Sequence, residues 1–413
     1  MARVEATIGG TEPADGIGGK APGPPERLLL AAMGMEAEFS LHLDGRLRRP
    51  ESVFGDPRAF LGADLMHRTG DSYHLRTGGA VYFDTGVIEV ATPAMEIERG
   101  CAARCGRSLW EGILEVRAAL DLWELQHRRA ARLTGFSAHY NVSFELPEHQ
   151  QGPDRTVDKL ALLLVHVIPP PVMLLAANRR STGVGVRPRG DRIEITVDFT
   201  PSAALMIATG TYLVGVVREI MRWRSFDLDE LDRRDLPRIA DFTPLPHTSR
   251  KGWLAHETSY PTNPFTTGVD RPVWRLTDGS LRSMRSIAGR ITRTFWHPIR
   301  RISDPFTFRL IGSVIAGRAP SLLDLEDRPE EYEDVGRLCR WDNLFPEGAL
   351  SRSRYERVLI RAISGRRLRI DGRWHRPVGM KGWSAVVFRQ EGTDLVRTIP
   401  IDDLVAHLED WER

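Results

Sequence analysis

The stretch GMEAEF, residues 34–39, decides how this chain is read, because it sets two glutamates one residue apart at the end of an apolar run. A carboxylate turned into a protein core costs several kcal/mol unless it finds a partner. In a β-strand, residues i and i+2 share a face, so Glu36 and Glu38 leave the core together while Met35, Ala37 and Phe39 enter it. The two carboxylates then stand within reach of one cation. The same alternation recurs in AVYFDTG (80–86), where Tyr82 and Asp84 oppose Val81 and Phe83. In AHYNVSFEL (138–146), His139, Asn141, Ser143 and Glu145 oppose Tyr140, Val142, Phe144 and Leu146. In RIEITVDF (192–199), Arg192, Glu194, Thr196 and Asp198 oppose Ile193, Ile195, Val197 and Phe199.

Paired in one antiparallel sheet, these four strands would offer an apolar face to helices and a polar face collecting Glu36, Glu38, Asp84, His139, Asn141, Arg192 and Glu194. A solvated sheet face is the ordinary alternative. Such faces mix Thr, Ser, Lys and Arg, whereas this one is dominated by carboxylates. Like charges on one face repel unless cations compensate, and hard oxygen ligands suit Mg²⁺ or Mn²⁺ carrying phosphate. The pattern alone does not choose between these two readings.

Three segments supply helices for the apolar face. RSLWEGILEVRAALDLWELQHRRAARL (107–133) carries apolar residues at helical spacing, and TVDKLALLLVHVIP (156–169) has a helical start that Pro169, Pro170 and Pro171 should stop. TPSAALMIATGTYLVGVVREIMRW (200–223) offers Thr200 as N-cap and Pro201 at the first helical position. Intermixed strands and helices without a regular alternation imply an α+β fold. Residues 1–26 are rich in Gly and Pro and read as a flexible tail. The Pro-rich stretch 243–268 is either an ordered lid or a long loop. A boundary is expected near DRPEEYED, giving a main domain over 27–325 and a small C-terminal domain over 326–413 with a helix in SRSRYERVLIRAIS and strands in RRLRIDGRWHRPV and WSAVVFRQ.

Composition narrows the function classes. A chain of 413 residues with 41% hydrophobic and 27% charged residues is globular, and a net charge of +2 gives no reason to expect nucleic-acid binding. Lysine occurs only at Lys20, Lys159, Lys251 and Lys381, so arginine carries nearly all the positive charge, as GC-rich coding would produce. Three cysteines, Cys101, Cys105 and Cys339, make no disulfide framework and imply reduced thiols. No leader-like segment or apolar run approaching 18 residues is evident, so a cytoplasmic protein without a membrane anchor is expected. The arginine run RSMRSIAGRITRTFWHPIRR (282–301) reads as a solvated helix face.

GMEAEF followed by VYFDTGVIEVATP (81–93) resembles the carboxylate–amine ligases of glutamine synthetase-like fold, and among them the ligase and deamidase family acting on the prokaryotic ubiquitin-like protein Pup. Gly34, Glu36, Glu38 and Phe39 match a G-x-E-x-E-[YF] strand in full, and Tyr82, Asp84, Glu89, Ala91, Thr92 and Pro93 match a Y-x-D-x-x-H-P-E-Y-A-T-P-E segment in register. His139, Tyr140 and Asn141 resemble its H-E-N segment, and Arg192 and Glu194 an R-x-E strand. The order is the family's, over residues 34–194. The motif's His, Pro, Tyr and final Glu are here Val87, Ile88, Val90 and Ala94, with Glu96 as a substitute carboxylate if the backbone bulges.

The resemblance implies a curved antiparallel sheet with helices on its convex face, and ATP held with Mg²⁺ or Mn²⁺ on the concave one. It implies phosphorylation of a carboxylate and displacement of the phosphate by an amine. Glu36, Glu38, Glu89 and Glu194 would be metal ligands, and Asp84 would activate the amine or, in a deamidase, attack or activate water. His139 and Asn141 would contact nucleotide or metal, and Arg192 or Arg187 the γ-phosphate or acyl phosphate. The expected partners are a glutamate-like carboxylate, free or at a protein C-terminus, and an amine. A deamidase or isopeptidase using the same site, or a non-catalytic nucleotide-binding relative favoured by Val87 and Ala94, are the alternatives.

Overall fold

The computed structural model describes residues 31–62, 66–146, 150–247, 251–324, 334–341, 344–345 and 350–412. The expected tail over 1–26 and the boundary at 326 lie outside them. Twelve strands form one antiparallel sheet: β1 (Ala32–Leu43), β2 (Arg46–Arg48), β3 (Met66–Thr69), β4 (Ser72–His74), β5 (Ala80–Asp84), β6 (Val87–Ala91), β7 (Met95–Glu96), β8 (Ala131–Ser143), β9 (Val184–Arg189), β10 (Arg192–Asp198), β11 (Leu245–Pro246) and β12 (Trp253–Ala255). The spatial order is β11-β12-β9-β10-β8-β1-β6-β5-β4-β3, with β2 and β7 also paired to β1.

β1 sits at the middle because its sequence alternates. Met33, Met35, Ala37, Phe39, Leu41 and Leu43 are buried in the main core, so Gly34, Glu36 and Glu38 take the other face. The β1–β8 ladder slips between Glu38 and Phe39, where Phe39 faces Gly135. A side chain at Gly135 would collide with the ring of Phe199, itself edge-on to Phe39 at 5.4 Å. The chain's α+β class and large antiparallel sheet with helices on its apolar face are as the alternation implies.

The helix Cys101–His127 starts six residues before the expected Arg107 and stops where Arg128 turns left-handed at φ 53. Asp44 then accepts the Ala130 N–H at 3.0 Å, and residues 131–133 enter β8 instead of extending the helix. Pro169–Pro171 do not end the helical region either. Val157–Val167 gives way to a second helix, Pro169–Ala176, bent by 64°, because proline has the right φ for a first turn and needs no N–H there. The next helix, Ala203–Ile220, is capped by Ser202, whose side chain accepts from Leu205, while Thr200 accepts from the Ser202 N–H at 3.3 Å and closes the turn before it. This helix corrects the expectation about apolar runs: it has 18 residues of mean hydropathy 1.4, long and apolar enough to cross a membrane, but 83% of it is buried within this fold.

The Pro-rich stretch after residue 243 is more than a plain loop among its described residues. Its β11 and β12 extend the sheet edge, with Trp253 opposite Val186 of β9. The arginine-rich run forms the helices Met284–Thr294 and Trp296–Ile302; Arg293, Arg300 and Arg301 face solvent, whereas Arg285 bonds Asp270 and the Val314 carbonyl.

A second, smaller core lies under a four-stranded antiparallel sheet, Leu368–Ile370, Arg373–Lys381, Ala385–Gln390 and Val396–Pro400, with Tyr355, Leu359, Phe388 and Trp411 at its centre. The helix Arg354–Ile363 ties it to the large sheet. Ser353 and Glu356 make a capping box, and the fully buried Glu356 also receives both oxygens' worth of contact from Arg107 Nη2, at 2.6 and 2.7 Å. Arg352 adds a third bond at 2.6 Å. Breaking a buried ion pair by removing one partner costs about 3–5 kcal/mol. Glu356→Ala should therefore lose about that much in urea unfolding, and a loss below about 1 kcal/mol, the range of surface pairs, would show that the pair anchors nothing.

Candidate active site

Register arranges the polar face in ladders whose side chains lie about 4.5–5.5 Å apart. Glu38 lies opposite both Glu89 of β6 and Ser137 of β8, and Glu89 opposite Tyr82 of β5. One step along, Glu36 lies opposite His139, and His139 opposite Thr196. The next row runs Gly34, Asn141, Glu194, Arg187. Gly34 contributes no side chain to its row, which leaves space beside Glu36.

Two groups of ligating atoms result, each within 4.8 Å: Glu36, Glu89 and His139, and Glu38, Asp84 and Glu89. His139 stands between the acids, with Nδ1 3.2 Å from Glu36 and 3.9 Å from Glu89, and Nε2 3.6 Å from Glu38. The Ser137 hydroxyl donates to Glu38, and the Tyr82 phenol donates to Glu89 Oε1 at 2.5 Å. Asp84 ends β5 at a tight turn. Thr85 there has φ 51, rare for a β-branched residue, and the Gly86 N–H is held by Glu51 at 2.8 Å.

Burial pushes the Glu89 carboxyl well above the usual range, and the negative charges of Glu36 and Glu38 push it further. For Glu36 burial acts in the same sense, but His139, a hydrogen bond with Glu89 and the charge of Arg192 outweigh it and hold the group low. The two carboxyls titrate as a pair, ionisation being favoured at Glu36 and disfavoured at Glu89. Oxygen donors with one imidazole nitrogen, around carboxylates pressed together, fit a hard divalent ion of the Mg²⁺ or Mn²⁺ kind.

Glu194 joins neither group. It is buried one strand away on the same face, its carboxylate enclosed by Arg187 and by Arg189 at 2.7 Å. Arg187, expected at a phosphate, is therefore engaged with Glu194. Glu96 does not replace the missing motif carboxylate: it accepts from the Arg354 N–H at 2.9 Å and from Arg354 Nε at 3.1 Å. Arg192 Nε donates to Asn141 at 2.8 Å, and both border a solvent-open cleft of about 110 Å³ that also has Gly34, Glu36, Ala94 and Trp383 in its wall. Ala94 lines this cleft where the motif has Glu.

Sequence reasoning missed several residues. Ser137 falls on the polar face by the same period-2 alternation but belongs to no motif, and the alternation that turns Tyr82 to this face does not show that its phenol meets Glu89. Trp383, from the turn after Lys381, reaches the cleft from the smaller sheet. Arg68 of β3 stacks on Tyr82 and Trp383, its guanidinium 5.5 and 4.9 Å from the two ring centroids.

No protein-family model and no curated protein matches the chain. Twelve chains of solved structures do, among them one from the "Crystal structure of the complex between Prokaryotic Ubiquitin-like Protein Pup and its Ligase PafA", with 11% identity, a TM-score of 0.49, and 92% of this chain and 93% of that chain covered.

A cation bound here would favour the ionised form of Glu89, whose burial disfavours ionisation, so its binding should release a proton and tighten as pH rises. Calorimetry of Mn²⁺ binding at neutral pH, repeated in buffers of different ionisation enthalpy, should report about one proton released per ion. Glu89→Gln should abolish that release and weaken binding at least about tenfold; unchanged release in the variant would assign the proton elsewhere.

Proposed function

We propose that the chain is an ATP- and divalent-metal-dependent carboxylate–amine ligase that makes an amide or isopeptide bond through an acyl phosphate. The observation carrying this reading is the pair of ligand groups that share Glu89 beside an open cleft. The ordered motif matches over residues 34–194 support it independently. Glu36, Glu89 and His139 would hold one cation, and Glu38 and Glu89 a second, with Asp84 beside the second group as the base. Bound cations would supply the charge neutralisation that phosphoryl transfer requires.

The chain's own residues supply the remainder. Asn141 and Arg192 would orient the nucleotide at the cleft wall, with Trp383 as the apolar surface for its base. Asp84, set beside Glu38 and Glu89 at the end of β5, would take the proton of the amine as nitrogen attacks the acyl phosphate and phosphate departs. Glu194, locked between Arg187 and Arg189, would act by holding those arginines in place, although the resemblance makes it a ligand. The carboxylate is glutamate-like, free or at a protein C-terminus.

Purified protein with Mg²⁺ and ATP should form ADP and phosphate in an amine-dependent manner. Asp84→Asn should cut turnover about 10²–10⁴-fold, the range of a general base, while nucleotide binding persists. Turnover equal to wild type would remove Asp84 from the chemistry. Release of ammonia or amine without net ATP consumption would instead identify a deamidase or isopeptidase working at the same site.

A further inference from the structure

We infer that Arg68 is the oxyanion receptor of this site, gripping the phosphoryl or carboxylate group that reacts beside Glu36 and Glu89. The inference rests on the ligase reading and adds to it a residue that no motif marks.

β3 alternates, with Met66 and Arg68 half-buried and His67 and Thr69 exposed, which turns Arg68 onto the polar face. Three contacts fix the guanidinium. It lies between the rings of Tyr82 and Trp383, and its Nε donates to Ser72 Oγ at 2.8 Å. Tyr82 is in turn bonded to Glu89, so Arg68 is oriented by the same hydrogen-bond chain that holds a candidate ligand.

What Arg68 lacks is as telling. Among the described residues no carboxylate lies within ion-pair distance of it, although Glu36 and Glu89 are near enough to act on it through space. Its neighbours on the face are committed: Arg187 and Arg189 to Glu194, and Arg192 to Asn141 and Asp191. A guanidinium stacked on two rings and bonded among the described residues only through Nε, clear of nearby carboxylates, leaves its Nη edge for an anion. The planar fork, stacked on the Trp383 ring that lines the cleft, matches a bidentate oxyanion, phosphate or carboxylate. Trp383 belongs to the smaller sheet, so that sheet's docking sets where the receptor points.

The test uses the full chain and calorimetry with three probes: Mn²⁺ alone, Mn²⁺ with ATP, and L-glutamate. Arg68→Met keeps the aliphatic stem without the charge, and Arg68→Lys keeps the charge without the fork. Both should bind Mn²⁺ as well as wild type, which also reports an intact fold. Arg68→Met should lose at least tenfold affinity for Mn²⁺-ATP or for glutamate, with Arg68→Lys recovering only part of it. Loss confined to ATP assigns the receptor to phosphate, and loss confined to glutamate assigns it to the substrate carboxylate; either supports the inference. Wild-type affinity for both in Arg68→Met overturns it while the ligase reading stands. Wild-type protein that binds neither Mn²⁺ nor ATP overturns the ligase reading itself.

Discussion

Everything at this site depends on three glutamates, Glu36, Glu38 and Glu89, held as cross-strand neighbours on one face of an antiparallel sheet. Opposed like charges on adjacent strands are destabilising, and burial sharpens the repulsion because the interior screens poorly. The fold answers with His139 among the acids, donors from Tyr82 and Ser137, and a Glu89 carboxyl whose ionisation is disfavoured. A face built so that a metal ion would relieve its strain is organised for binding, whereas a solvated face would spread its charges apart.

The smaller sheet bears on the same face. Its anchoring helix is fixed by the buried Arg107–Glu356 pair and by Glu96 at the Arg354 N–H. That fixed docking brings Trp383 against Arg68 and His74, and so closes one side of the cleft. Glu96, which stands two residues beyond Ala94, thus works as a structural cap. Where the motif has Glu, Ala94 lines the cleft, whose wall also carries Glu36 and the Arg192-paired Asp191.

Period-2 alternation made the strands around Glu36, Tyr82, His139 and Glu194 legible, and with them the polar face, since each strand declares its own two sides. Sequence could not show which acids meet, because that depends on register between strands distant in the chain. Glu194 illustrates this: its face was legible, but its neighbour Arg187 comes from β9 and closes on it, leaving the metal groups to the other acids. Arg68 was illegible because MHRT is only four residues long, too short to show a period. The prolines at 169–171 misled for a local reason, since the same restriction of φ that ends one helix begins the next. The early end of the long helix at His127 was also hidden, resting on the left-handed Arg128 and on Asp44 from another strand.

The central claim is that these acids jointly hold cations against a nucleotide. Its most direct test is anomalous diffraction from crystals grown with Mn²⁺ and a non-hydrolysable ATP analogue. The account predicts manganese peaks coordinated by Glu36, Glu89 and His139 and by Glu38 and Glu89, at about the 2.0–2.2 Å expected for a small hard cation, with phosphate density toward Arg68. Nucleotide bound elsewhere, with His139 still between metal-free Glu36 and Glu89, would contradict it.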